Sequence, residues 1–247
     1  FPSQIDKTNT TGEVLMELLG DAINYCYWYG RHDIRPGDAS AGKMYELVQE
    51  AVYDRDVYFK KLESYINRLE NLLILNRFPL IEERIKHLNE FKNYNAVQYL
   101  ISEIHSSKRN ESSCENAFKF LIEYFPGYGS DIFLKRASLF FLQLHRKFGW
   151  FKDDMYTLHV PADYQVPKIL NYLKCIEYNY SLTCKIENSE LIPKGSLEEC
   201  EIRAATILAC EELKKLTDWN ISDVDGWLWL RRKETDTPFH LTITTDY

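Results

Sequence analysis

Apolar residues recur at helical spacing in segment after segment of this chain, and that repetition constrains its fold more than any other feature. Val14, Leu15, Leu18, Leu19, Ala22 and Ile23 form the first such stripe, with gaps of one and three residues as a 3.6-residue turn requires. Ahead of it, Thr10-Thr11-Gly12-Glu13 reads as a capping box, in which a hydroxyl and a carboxylate satisfy the amides that open a helix. A helix from about Thr11 to near Trp28 is predicted. Patterns of the same period follow at 44–53, 58–75, 96–105, 114–123, 132–148, 167–175 and 197–216. Pro79 starts one more, since proline lacks the amide that a first turn leaves unbonded. The stretches 31–41 and 106–113 are polar or rich in turn residues and read as loops. Only the tail from His240 to Thr245 alternates as a strand does, with Val52 or residues 156–160 as weak partners. No repeat or composition break divides the chain. The expected fold is therefore mainly α, a single compact helical domain over residues 1–247, with at most a small C-terminal β-ribbon.

With 247 residues the chain can bury a substantial apolar interior without a metal or disulfide staple. Hydrophobic residues at 45% against only 10 Gly and 8 Pro exclude disordered and collagen-like classes. The formal net charge of −7 opposes a duplex phosphate backbone, so no duplex nucleic-acid partner is expected, while a small phosphorylated ligand is compatible. Six cysteines lie without CxxC pairs or histidines at zinc spacing, which points to neither a metal site nor a disulfide framework but to reduced thiols in the cytoplasm. No apolar run approaches the roughly 20 residues that span a bilayer, and no basic-then-apolar leader opens the chain, so no membrane partner is expected. The chain starts at Phe1 rather than Met, leaving room for a preceding segment.

Two segments stand out for chemistry. In His159-Val160-Pro161-Ala162-Asp163-Tyr164-Gln165-Val166-Pro167 an acid lies between two prolines just before a helical pattern. Asp163 reads either as a helix N-terminal acid, stabilised by free amides and the dipole, or as a carboxylate aimed into a cleft. In the second case it stays ionised and stabilises a developing cation or orients a water. Lys135 falls in the first turns of the helix after Tyr124-Phe125-Pro126-Gly127-Tyr128-Gly129-Ser130-Asp131. Most helix lysines are solvated, but Leu134, Ala137, Leu139 and Phe140 frame this one, and it can face inward only with an anionic partner. On the first helix Asp21, Asn24 and Trp28 fall at i, i+3 and i+7, where two polar groups and an indole share a face that reads either as core packing or as a base-binding wall. Tyr25 and Tyr27 would complete that wall.

Phe133-Leu134-Lys135-Arg136-Ala137 and Ala162-Asp163-Tyr164-Gln165-Val166-Pro167 resemble signature segments of the queuosine salvage family. Asp21-Ala22-Ile23-Asn24-Tyr25-Cys26-Tyr27-Trp28, Pro79 to Arg84, Leu88-Asn89-Glu90, Glu201-Ile202-Arg203-Ala204, Asp225-Gly226-Trp227-Leu228-Trp229 and Pro238-Phe239-His240 are similar as well and stand in the family's order. The resemblance runs from about Gly20 to Tyr247. It implies a fold related to helix-hairpin-helix DNA glycosylases and an N-glycosidase that hydrolyses queuosine 5′-monophosphate, with queuosine as a further substrate, to queuine and ribose 5-phosphate. The freed base then returns to tRNA modification. Carried over, Asp163 is the catalytic aspartate and Lys135 the lysine paired with it. Asp21, Asn24, Tyr25, Tyr27, Trp28, Arg136, Arg203 and His240 become substrate-binding candidates, with no metal and no cofactor. The chain departs from the family in a shorter stretch before Asp21, a shorter spacer between Lys135 and Asp163, and tyrosines at 25 and 27 where phenylalanines are frequent.

Two competing readings keep the helices. A DNA base-excision glycosylase should show a glycine hairpin beside the lysine and a basic surface, and neither is clear. A noncatalytic module binding a modified nucleoside or a protein partner would leave Asp163 a purely structural role.

Overall fold

The computed structural model describes residues 10–29, 39–52, 59–109 and 113–247. The predicted loop at 31–41 falls largely outside them. The expectation of a mainly helical chain holds: α1 (Thr10–Ala22), α2 (Ala41–Ala51), α3 (Leu62–Leu75), α4 (Ile81–Glu90), α5 (Tyr94–Arg109), α6 (Glu115–Tyr124), α7 (Pro126–Gly129), α8 (Lys135–Phe148), α9 (Gln165–Tyr172), α10 (Tyr180–Glu187), α11 (Leu197–Thr217) and α12 (Ile221–Arg231) follow one another. Helix α5 continues through Arg109, into the stretch whose polarity reads as a loop. Helix α1 packs on α8 and α2, and α9 packs on α11 and α12. One apolar cluster extends from Val14 to Leu241, and a smaller one joins Leu182, Ile186, Ile192 and Ile202.

The first helix ends at Ala22, well short of the predicted Trp28. No proline stops it. The carbonyls at and just past its end are taken by buried cations from distant helices. The Arg84 guanidinium donates to the carbonyls of Ile23, Tyr25 and Cys26, and that of Arg136 to Ala22. The Lys135 ammonium reaches the carbonyl of Asn24 at 3.0 Å. A helix concentrates negative potential at its C-terminal end, and these cations gather there and hold the segment after it in a non-helical path. The chain then runs through a left-handed residue at Cys26 (φ 31°). Asp21, Asn24 and Trp28 consequently do not share a helical face.

Helices α4 and α8 begin alike. Leu80 (φ 51°, ψ 47°) and Leu134 (φ 51°, ψ 37°) both cap them in the left-handed region, so α4 starts at Ile81 rather than at Pro79. The sharp entry turns Arg84, Lys135 and Arg136 toward the end of α1. The tail forms no ribbon with Val52 or residues 156–160. Among the described residues it makes one parallel bridge, Leu191 with Leu241, closed by the Ile192 amide on the Leu241 carbonyl at 2.8 Å. Sequence periodicity also passed over α7, α10 and α12, the first two being only 4 and 8 residues long.

Candidate functional site

Asp163 precedes α9. Its Oδ1 accepts the amides of Gln165 at 2.7 Å and Val166 at 3.0 Å, so the carboxylate holds the open end of that helix. The residue is half-buried. Burial pushes its carboxyl above the usual carboxylate range, while attraction from Lys135 and the two amides pulls it back, and Asp225 raises it further. The helix amides expected at Asp163 are thus present, and Lys135 adds to their effect.

Lys135 opens α8 and is 4% exposed. Burial pushes its ammonium down from the ordinary lysine value, and Asp163 and then Asp21 oppose that shift. The lysine thus faces inward, and the charges of Asp163 and Asp21 act on it without a direct ion pair to either. Its Nζ gives one hydrogen to the Asn24 carbonyl, and an ammonium carries three.

Asp21 is fully buried. Its Oδ1 accepts the Tyr45 hydroxyl at 2.6 Å and the Asn24 amide at 3.3 Å, while Oδ2 has no partner. Burial and the neighbouring Glu17 push its carboxyl up to about 7. Asn24 also accepts the Tyr27 hydroxyl at 2.8 Å, so its side chain is committed within the protein. Tyr25 lies under the Arg84 guanidinium at 4.4 Å with its hydroxyl unpartnered. Trp28 meets Tyr164 edge-on at 4.3 Å and Phe239 at 5.1 Å, and Tyr164 meets Phe239 at 4.6 Å. Because Tyr164 follows Asp163, this aromatic trio adjoins the carboxylate. The indole Nε1 is buried without a partner.

The other basic candidates lie elsewhere. The Arg136 guanidinium, 1% exposed, donates to the carbonyls of Ala22 and Gly127. Arg203 pairs with Asp131 through both terminal nitrogens, at 2.8 and 2.6 Å. His240 sets Nε2 against the Tyr247 hydroxyl at 3.1 Å in the tail. Sequence reading passed over Arg232, at the end of α12. It is half-buried, lies over the Trp229 ring at 3.1 Å, and has no carboxylate within ion-pair distance among the described residues. Burial lowers it, and the charges of Asp163 and Tyr164 counter that. Asp225, also left out of the sequence-based site, is bound by Arg146 at 2.8 Å.

The fold is thus a mainly helical scaffold that buries an ammonium under the influence of two carboxylates, with three packed aromatic rings adjoining one of them. The chain belongs to the queuosine salvage family, whose profile, described as queuosine salvage protein, matches residues 7–247. It is 28% identical to the queuosine 5′-phosphate N-glycosylase/hydrolase of Dictyostelium discoideum over 97% of this chain and 79% of that protein. The proteins of the same name from Sphaerobacter thermophilus (28%, 93% of this chain, 80% of the relative) and Mus musculus (25%, 93% and 73%) are similar along nearly as much of it. Among the described residues no helix is long and apolar enough to cross a membrane.

Proposed function

We propose that this chain hydrolyses the N-glycosidic bond of queuosine 5′-monophosphate, releasing queuine and ribose 5-phosphate, with Asp163 as the catalytic carboxylate. The observation that carries the reading is the burial of Lys135 under the attraction of Asp163, which adjoins the aromatic trio, in a chain whose relatives bear that enzyme's name. As the bond from the base to C1′ of ribose lengthens, positive charge develops on the sugar, and an ionised Asp163 stabilises it. Water then adds its oxygen to C1′ and gives a proton to Asp163, while the departing nitrogen takes a proton from solvent, to which Asp163 returns its own. Attraction from Lys135 opposes the burial that raises the Asp163 carboxyl, and the lysine's spare hydrogens face the substrate. Trp28, Tyr164 and Phe239 flank the base, and Asp21 Oδ2 and Trp28 Nε1, a buried acceptor and a buried donor, supply its polar contacts. Tyr25, Tyr27 and Asn24 support this wall rather than touch the base. Arg232 replaces Arg136 and Arg203 as the residue for the 5′-phosphate, having no acid of its own to satisfy. The whole of residues 1–247 acts as one unit in this reading.

The test is base release from queuosine 5′-monophosphate, with queuosine and guanosine monophosphate alongside. Wild-type protein is expected to release queuine, and Asp163→Asn to lose at least ~10³-fold in rate with its circular dichroism unchanged. Ligand binding without release by the wild type would favour a binding module instead.

A further inference from the structure

Building on the reading of Asp163 and Lys135 as the reaction centre, we propose that Arg203 and Asp131 form a buried positioning unit that holds the Asp163 carboxylate and the Lys135 ammonium in register. Neither residue is placed to meet substrate, for the Arg203 nitrogens are taken by Asp131 and the Ala162 carbonyl, and the Asp131 oxygens by Arg203 and two backbone amides. Their geometry bridges the two segments that carry the chemistry. Arg203 Nε donates to the carbonyl of Ala162, the residue before Asp163, at 3.1 Å. Its two terminal nitrogens grip Asp131, whose oxygens in turn accept the amides of Phe133 at 3.1 Å and Lys135 at 2.8 Å. One guanidinium and one carboxylate thus span from the peptide beside the acid to the first amide of the lysine's helix.

The guanidinium plane is itself fixed. The ring centres of Phe133 and Tyr247 lie 4.6 and 4.4 Å from its carbon, and Glu199 adds a second acid at 3.4 Å. Tyr247 extends the connection, because its carbonyl accepts the Cys26 amide at 3.0 Å in the segment leading to Trp28. A buried ion pair of this kind seldom stabilises a fold more than apolar residues of equal volume would. What it supplies is direction, since a bidentate pair fixes angle as well as distance. Small misplacements at a reaction centre cost large factors in rate.

Arg203→Lys tests this, keeping the charge while losing the fork. Asp163 faces Lys135 from α8 and Asp225 and Arg232 from α12, with Asp21 of α1 beyond Lys135, and the variant removes none of these charges. Its carboxyl titration is followed by carbon-13 NMR on aspartate-labelled protein, assigned with Asp163→Asn. Without the unit, Lys135 drifts from Asp163, so the carboxyl is expected to titrate about half a unit or more higher than in wild type. In parallel, kcat for base release is expected to fall ~10- to 100-fold with KM within about threefold. Leu100→Ala, a buried change in α5, serves as a control of comparable loss in Tm and is expected to do neither. An Asp163 titration unchanged in Arg203→Lys, or moved equally by the control, overturns the proposal. Should wild type release no base, the proposed reaction fails while the titration still decides the positioning. If Arg203→Lys does not fold, Asp131→Glu, which keeps the charge but lengthens the arm, gives the same readout.

Discussion

Asp163 must be ionised to stabilise a cation, yet burial pushes its carboxyl above the ordinary range. Activity should accordingly be lost as pH falls through a value higher than a solvated aspartate's, and the acidic limb of kcat/KM against pH reports it. A limb at or below the ordinary aspartate value would remove Asp163 from that role. Asp21 has a separate effect, on stability. Its folded carboxyl lies near 7 against 3.8 when solvated, so between these values the native chain holds the extra proton. The stabilisation is full below about 3.8 and is lost as pH rises toward 7, with a ceiling of about 4 kcal/mol at 1.36 kcal/mol per unit. Asp21→Asn cannot titrate there, so its stability relative to wild type, from urea unfolding, should improve between about pH 5 and pH 8. Parallel pH profiles for the two proteins would refute this. At this scale the family segments singled out Asp163 and Lys135, because each sits inside a short motif, and the fold places both charges within reach of each other's influence. Arg203 and Arg136 were visible as basic residues in such motifs, but only the fold reveals that the terminal nitrogens of both are bound within the protein.

Helix ends depend on partners far along the chain, and α1 is the instructive case. Its apolar stripe and the aromatic run after Ala22 read as one continuous helix, and nothing local contradicts that. Arg136 occupies the Ala22 carbonyl that a further turn would need, and Arg84 holds the carbonyls of the non-helical segment that follows. Arg84 is fully buried and makes no ion pair with a carboxylate among the described residues, so backbone carbonyls, including that of Pro79 at 2.7 Å, hold its charge. Arg84→Met would keep the apolar stem and leave several buried carbonyls unsatisfied, at roughly 1–3 kcal/mol each. A loss of about 3 kcal/mol or more in urea unfolding is expected, and a loss below about 1 kcal/mol would show that water replaces the guanidinium. The same long-range cause hid the left-handed entries of α4 and α8, since leucine carries no sequence signal for that conformation.

At the scale of the whole molecule, the tail closes the structure on itself. Tyr247 is 1% exposed, bonds Cys26 through its carbonyl and lies against Arg203, while Lys194 binds Asp246 at 2.8 Å. The alternation of residues 240–245 signalled an extended segment, but its partner could not be read, because a single bridge to Leu191 leaves no pattern of its own in the sequence. These ties, with an apolar cluster running from Val14 to Leu241, lead to the expectation that the chain unfolds in one cooperative step. Calorimetry should give equal calorimetric and van't Hoff enthalpies. Tyr247→Ala removes a buried ring worth about 3–5 kcal/mol, which for a chain of this size lowers Tm by ~10 °C. If residues 1–247 are one unit, that loss shifts the entire transition and leaves it single. Two transitions, with only one displaced by the substitution, would mean that the tail stabilises a separate part of the chain and that α1 reaches its end geometry without it.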